Sequence, residues 1–101
     1  MKLENFNYSV GSLFVCSKCG HAFQAPDQAE KLKAELRAEL KKTEDSQKIR
    51  VMVGSCLGVC DPERQTFAYF PHNGSAEIYS TEKEFLHAKK QMLILLKKKL
   101  I

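Results

Sequence analysis

Short apolar segments along the chain predict four β-strands. Residues 12–16 form an apolar run that is too short for a helix, after an irregular lead-in at residues 1–11. Residues 49–53 alternate between apolar and mixed positions, which predicts a strand with one buried face. Residues 66–70 and 76–79 flank a Pro-His-Asn-Gly turn, and Asn-Gly is typical of a β-hairpin because it readily adopts positive φ.

Two longer segments carry the periodicity of amphipathic helices. The first opens at Asp27, with Glu30 three residues later as in a capping box, and is expected to end near Lys42. Its apolar stripe consists of Ala29, Leu32, Leu36 and Leu40. The second is expected to be capped by Thr81, with Glu84 completing a capping box. Its predicted buried face consists of Phe85, Ala88, Met92, Leu95 and Leu96.

The predicted elements follow the order β-α-β-β-β-α within a single domain, residues 1–101. A strand–helix–strand unit followed by a hairpin and a closing helix is the layout of a small thioredoxin-like α/β domain. Such a domain has a mixed four-stranded sheet and two main helices. We expect the first two strands to be parallel and joined by a right-handed crossover, and the hairpin to add antiparallel strands.

Composition and charge narrow the classes of function. The 101 residues are 44% hydrophobic and 28% charged, as in ordinary globular proteins. The net charge is +4, but no recognition module or aromatic–basic interleaving accompanies it, so nucleic acid is not an expected partner. The polar first residues do not predict a signal peptide, and the longest apolar run, residues 92–96, is too short to span a bilayer. We therefore expect a cytoplasmic protein without a membrane partner, in which thiols stay reduced.

Two cysteine pairs use all four cysteines of the chain. Cys16 and Cys19 form a Cys-x2-Cys pair, and Cys56 and Cys60 form a Cys-x3-Cys pair. Each pair follows a predicted apolar strand, and parallel neighbouring strands would bring both pairs to the same carboxyl edge of the sheet, where open α/β sheets bind ligands. Four converging thiolates can hold either a four-coordinate zinc ion or a 2Fe–2S cluster.

Other interpretations of the cysteines remain open. Zinc suits the Cys-x2-Cys-Gly sequence of the first pair, whereas the second pair lacks the tight spacing that a zinc ribbon usually repeats. A dithiol oxidoreductase needs its pair at a helix N-terminus, but residues 17–25 predict a loop. Incidental thiols would not explain two clean pairs at strand ends. His21 could replace a thiolate ligand, but with four cysteines available we expect a loop residue there, and we expect His72 and His87 to face solvent.

Three segments together resemble the thioredoxin-like 2Fe–2S ferredoxins. They are the strand end Phe-Val-Cys at residues 14–16, the loop Cys-Leu-Gly-Val-Cys at residues 56–60, and the hairpin at residues 69–79. The resemblance spans residues 13–96, and its most specific part is the second cysteine loop followed by the hairpin. The chain departs from the best-known members in the short gap between its first two cysteines, and no Gly-Pro follows its second loop.

The resemblance implies electron transfer. The cluster would be bound by Cys16, Cys19, Cys56 and Cys60, and would cycle by one electron. The protein would then be an electron carrier and not an enzyme, with a redox partner protein. Members of the family are often homodimers, so a second copy of the chain is a further expected partner. A zinc-stabilised interaction module without redox activity is the alternative from another class.

Overall fold

The computed structural model describes residues 1–4, 8–22, 24–55 and 63–101, with the backbone alone for residues 20–22. Its elements are β1 (Gly11–Cys16), α1 (Ser17–Ala22), α2 (Gln28–Lys42), β2 (Ile49–Gly54), β3 (Arg64–Pro71), β4 (Glu77–Glu82) and α3 (Phe85–Leu100). The order of the long elements confirms the predicted α/β arrangement. The additional helix α1 was not predicted.

The four strands form one mixed sheet in the order β2-β1-β3-β4. β1 pairs in parallel with β2, so that Cys16 lies opposite Gly54 at the carboxyl end of both strands. β1 is antiparallel to β3, and β3 is antiparallel to β4. The mixed four-stranded sheet and the parallel first pair are therefore confirmed, while the thioredoxin-like label remains a prediction.

The hydrophobic core lies between one face of the sheet and helices α2 and α3. Leu13, Val51 and Tyr69 are neighbours across three strands and belong to the same buried cluster as the helical side chains. The predicted stripes of both helices are buried or packed against this cluster. The helical core residues are Ala29, Leu32, Leu36, Leu40, Ala88, Met92 and Leu96. Burial of each large apolar side chain contributes about 1.5–3 kcal/mol, which makes this face the main source of stability.

The opposite face of the sheet carries a smaller apolar row that α2 and α3 do not cover. Phe14, Ala68 and Ile78 lie side by side across three strands. The Phe14 and Phe70 rings make an edge-to-face contact with centroids 5.3 Å apart, and the Arg50 guanidinium lies 5.7 Å from the Phe14 centroid. Ile78 is 50% exposed and Phe70 is 42% exposed, so this face is partly open to solvent.

The predicted loop at residues 17–25 is wrong in its first part, because the short helix α1 begins directly after β1. Its start is held by tertiary contacts: the Lys18 N–H donates to the Ser55 carbonyl oxygen at 3.2 Å, and the Ser17 hydroxyl donates to the same oxygen. Six residues are too few to display an amphipathic period, so the sequence pattern does not reveal this helix.

The predicted side-chain caps of the two long helices are also wrong. Asp27 does occupy the N-cap position of α2, but its carboxylate makes no cap hydrogen bond and instead pairs with Lys31 at 3.2 Å. Thr81 lies within β4, opposite Gln65, and is buried. α3 begins only after Glu84, which has an extended conformation. Pairing of β4 with β3 therefore extends the strand through the residue predicted to cap the helix.

Candidate functional site

Cys16 and Cys19 lie together at the carboxyl edge of the sheet. Cys16 is the last residue of β1 and Cys19 lies in the first turn of α1. Their exposed fractions are 0% and 1%, and the neighbouring Cys16 thiol contributes to raising the pKa of Cys19. The structure thus places the first predicted pair at the predicted edge, and it places both thiols out of solvent.

The sulfur atoms contact the backbone of two other elements. The Thr66 N–H at the start of β3 donates to Cys19 Sγ at 3.4 Å. Cys16 Sγ contacts the carbonyl oxygen of Ser55, directly after β2, at 3.8 Å. Burial raises the pKa of the Cys19 thiol, and the hydrogen bond from Thr66 acts in the opposite direction because it favours the thiolate. A metal or cluster bound to these sulfurs would replace the missing solvation of the thiolates.

A buried amide network supports the end of β1. Gln65 Nε2 donates to the Cys16 carbonyl oxygen at 2.9 Å, and Gln28 Nε2 donates to Gln65 Oε1 at 3.1 Å. Gln28 also donates to the Lys83 carbonyl oxygen at 2.9 Å, which links the start of α2 to the segment before α3. The sequence pattern does not point to these glutamines as part of the site. The available signal was the polar Gln65 immediately before the apolar run of β3.

The second predicted pair, Cys56 and Cys60, lies outside the described residues. The described chain before this segment ends at Ser55, and it resumes at Glu63. Ser55 contacts Cys16 through its carbonyl oxygen, so the last described residue before the second pair lies at the edge that carries the first pair. The chain then re-enters β3, whose early residues contact both members of the first pair. Both ends of the segment that carries the second pair are therefore anchored beside the first pair.

Two of the three histidines have side chains that the structure describes. His72 and His87 are exposed, as predicted, and His87 Nε2 lies 2.6 Å from Glu82 Oε2 at the surface. The His21 side chain lies outside what the structure describes. Among the described side chains, no group of three or more His, Cys, Asp or Glu residues is arranged around a common metal position.

The Cys16–Cys19 pair has the position that a dithiol oxidoreductase needs, but it lacks the exposed and reactive thiols. Because α1 begins at Ser17, the Cys16–Cys19 pair does lie at a junction between a strand and a helix, contrary to the sequence prediction. Thiol–disulfide exchange, however, needs an accessible thiolate of low pKa. Both thiols are at most 1% exposed, and burial raises the pKa of Cys19. The pair is therefore better suited to ligand binding than to nucleophilic attack.

No helix within the described residues is both long enough and apolar enough to cross a membrane. Comparisons of the chain with models of protein families, with curated proteins and with solved structures found no match.

Proposed function

We propose that this protein is a one-electron carrier that binds a 2Fe–2S cluster through Cys16, Cys19, Cys56 and Cys60. One observation carries the proposal. Two adjacent thiols are buried at the carboxyl end of the central parallel strand, and both ends of the segment that contains the other two cysteines are anchored beside them. This arrangement supports a site with four cysteine ligands from two separate parts of the chain, as a 2Fe–2S cluster requires.

The contacts of the described pair suit a cluster ligand. A backbone N–H that donates to a ligating sulfur stabilises negative charge on it and helps to tune the reduction potential. Thr66 provides such a donor to Cys19. The Gln65 hydrogen bond to the Cys16 carbonyl oxygen holds the backbone of the other ligand in place. A bound cluster would supply reversible uptake of one electron, and the chain would supply ligands, burial and hydrogen bonds.

This role needs a partner that delivers or accepts the electron, so a redox partner protein is part of the proposal. A second copy of the chain is the other proposed partner, and the cytoplasm is the proposed compartment, where thiols remain reduced before a cluster is loaded. No step of simple electron transfer requires an acid–base residue. The chain is accordingly proposed to be an electron-transfer protein and not an enzyme.

The test is to purify the protein in the absence of oxygen and to record its visible spectrum and metal content. The expected product is red-brown, contains iron and acid-labile sulfide in equal amounts, and loses much of its visible absorption when dithionite is added. A colourless protein with one zinc ion per chain would contradict the proposal and would favour the zinc-stabilised module. A colourless, metal-free protein with a rapidly exchanging disulfide would contradict both.

A further inference from the structure

The two outer strands of the sheet differ in how their free edges are covered. β2 and β4 are the outer strands in the order β2-β1-β3-β4. β2 packs against α2, and Arg37 Nε of that helix donates to the Val51 carbonyl oxygen at 2.9 Å. Within the described residues no strand lies beyond β4, and Ile78, Tyr79 and Ser80 are all exposed. The edge of β4 is therefore the open side of the sheet.

The hydrogen bonds at the two ends of β3 show which way its backbone groups point. At its start, the Thr66 N–H donates to Cys19 Sγ, directly after β1. Directly after its end, the His72 N–H donates to the Val10 carbonyl oxygen, directly before β1. Because backbone groups alternate in direction along a strand, the even-numbered residues of β3 direct their N–H and C=O groups toward β1 and away from β4.

The same alternation identifies the backbone groups on the open edge of β4. Opposite residues of an antiparallel pair direct their groups either toward each other or away from each other. Ser80 lies opposite Thr66 and Ile78 lies opposite Ala68, so both residues of β4 direct their N–H and C=O groups to the outer edge. Arg64 Nη2 donates to the Ser80 carbonyl oxygen at 3.0 Å, but a carbonyl oxygen has two lone pairs and can accept a second hydrogen bond.

β4 lacks the features that usually protect a free edge from another strand. Residues 77–82 include neither Lys nor Pro, and their pairing with β3 is continuous, without a bulge. The two carboxylates of the strand have partners of their own: Glu77 pairs with Lys99 at 2.8 Å, and Glu82 lies 2.6 Å from His87 Nε2. The edge therefore offers backbone groups for pairing without an isolated charge to repel a second strand.

We propose that β4 of a second copy of this chain pairs with this edge in antiparallel orientation, about a twofold axis at Tyr79. In this register Ile78 lies opposite the partner's Ser80, so that the outward groups of both strands meet and each pair can exchange two hydrogen bonds. Glu77 lies opposite the partner's Thr81, and no like charges face each other. A shift by one residue would place outward groups against inward ones. The two four-stranded sheets would become one continuous sheet.

Apolar side chains lie beside the proposed axis on the face that carries α3. Tyr79 is 37% exposed and Ile94 is 40% exposed, and both line a cavity of about 170 Å³ between β4 and α3. Stacking on Phe67, with ring centroids 5.5 Å apart, positions the Tyr79 ring. Because a twofold axis brings the same surface of two copies together, these side chains would be buried against their equivalents. Lys98 and Gln91 also line the cavity, two helical turns apart, and antiparallel pairing would set Lys98 near the partner's Gln91 and not near the partner's Lys98.

The inference rests on the proposed function insofar as a second copy is one of its partners, but it does not require the cluster. The test is to measure the mass of the protein, purified without oxygen, by analytical ultracentrifugation over a range of concentrations. The expected species at high concentration has twice the mass of the 101-residue chain. A monomer at every concentration would overturn the proposal. A red-brown monomer would overturn this inference alone, whereas a colourless dimer paired through β4 would contradict only the electron carrier.

Hydrogen exchange on the same samples locates the contact. The outward amides of Ile78 and Ser80 have no strand to bond in the monomer, so the peptide that covers residues 77–82 should contain rapidly exchanging amides that become protected as the dimer forms. Protection that appears along β2, or on the sheet face that carries Phe14 and Phe70, and not in this peptide would overturn the proposal.

A matched pair of variants removes one backbone donor from the edge. Ser80→Pro eliminates the outward N–H without removing a bond to β3, and proline is tolerated at such positions of edge strands. It should raise the dimer dissociation constant about a hundredfold, because the twofold axis removes the contact twice and one hydrogen bond changes an affinity about tenfold. Ser80→Ala loses the same hydroxyl but keeps the N–H, and should remain a dimer. Equal affinities of the two folded variants would overturn the proposal. If thermal unfolding showed that Ser80→Pro does not fold, hydrogen exchange of the unmodified chain would decide.

Discussion

The side-chain amide of Gln65 donates a 2.9 Å hydrogen bond to the carbonyl oxygen of Cys16, 49 residues earlier in the chain. Gln28 in turn donates to Gln65, so α2, β3 and the cysteine end of β1 are joined through buried amides. Buried polar groups are stabilising only while they are paired. The end of the strand that carries the first cysteine is therefore held by a buried side-chain amide, which is itself held by a second one.

We predict that Gln65→Leu lowers the free energy of unfolding by about 1–3 kcal/mol, because it removes the donor to the Cys16 carbonyl oxygen and the acceptor for Gln28. Urea denaturation would measure the change. In a Gln28→Leu background the same substitution should cost less, since the hydrogen bond between the two glutamines is already absent. Additive losses would show that the two glutamines act independently.

The cysteine variants test the proposed ligand set one residue at a time. Cys19→Ser, Cys56→Ser and Cys60→Ser should each lose most of the visible absorption and bound iron, because a hydroxyl is a poor ligand for a cluster that prefers thiolates. His21→Ala is the control and should retain a normal spectrum. An unchanged cluster in Cys19→Ser would show that the first pair had been assigned incorrectly.

A steric prediction concerns Gly11 at the start of β1. A Cβ atom at this position would lie 2.5 Å from the Tyr69 hydroxyl and 2.6 Å from the Phe70 carbonyl oxygen. Since the backbone of β3 cannot move aside cheaply, Gly11→Ala should lower the free energy of unfolding by about 1–3 kcal/mol. Thermal or urea unfolding would measure it. A neutral Gly11→Ala would mean that β1 and β3 are not so closely apposed.

Tyr69→Phe is the matched variant for this contact. The Tyr69 hydroxyl is buried and has no hydrogen-bond partner within the described residues, so its removal should be neutral or slightly stabilising. In combination with Gly11→Ala it should recover part of the lost stability, because the hydroxyl clash disappears. The recovery should remain incomplete, since the Phe70 carbonyl oxygen stays in place.

Acid should destabilise the protein partly through Glu77. A hydrogen bond from Lys99 at 2.8 Å, together with one from the Tyr79 hydroxyl, lowers the pKa of the Glu77 carboxyl below its ordinary value of 4.5. The charged carboxylate therefore stabilises the folded state above about pH 4.5, and this contribution is lost as the pH falls through the lower folded pKa. Glu77→Gln should accordingly reduce the unfolding free energy at pH 7 more than at pH 3. If the unfolding free energies of the wild-type protein and of Glu77→Gln changed with pH in parallel, Glu77 would not be a source of the acid destabilisation.

Most of the fold could be predicted because its signals are local. The leucines of α2 and the apolar positions of α3 recur at helical spacing. The structure buries the leucines of α2 and Ala88, Met92 and Leu96 of α3, and it packs Phe85 and Leu95, partly buried, against the same core. The errors arose where distant residues decide local structure. Thr81 has the sequence of a helix cap, yet its pairing with Gln65 across the sheet keeps it in β4. Similarly, α1 begins where Ser55, from another strand end, accepts hydrogen bonds from Ser17 and Lys18.

In the candidate site too, features set by neighbouring residues in the sequence could be predicted, whereas contacts between distant residues could not. The position of Cys16 at a strand end could be predicted from the apolar run before it, and the structure confirms it. The approach of Thr66 to Cys19 joins residues 47 positions apart, and no sequence pattern indicates it. Cys56 and Cys60 lie outside the described residues, so their part in the site remains a prediction.

The central position of β1 has a consequence for how the protein is made. β1 lies between β2 and β3, so a strand synthesised early can complete its pairing only after the chain has been extended to Pro71. Pairing between residues so far apart in sequence is slow compared with helix formation. Cys16 and Cys19 are buried only when these strands have docked. The interval between synthesis and docking is therefore when their sulfurs are most accessible, both to delivery of the proposed cluster and to unwanted oxidation.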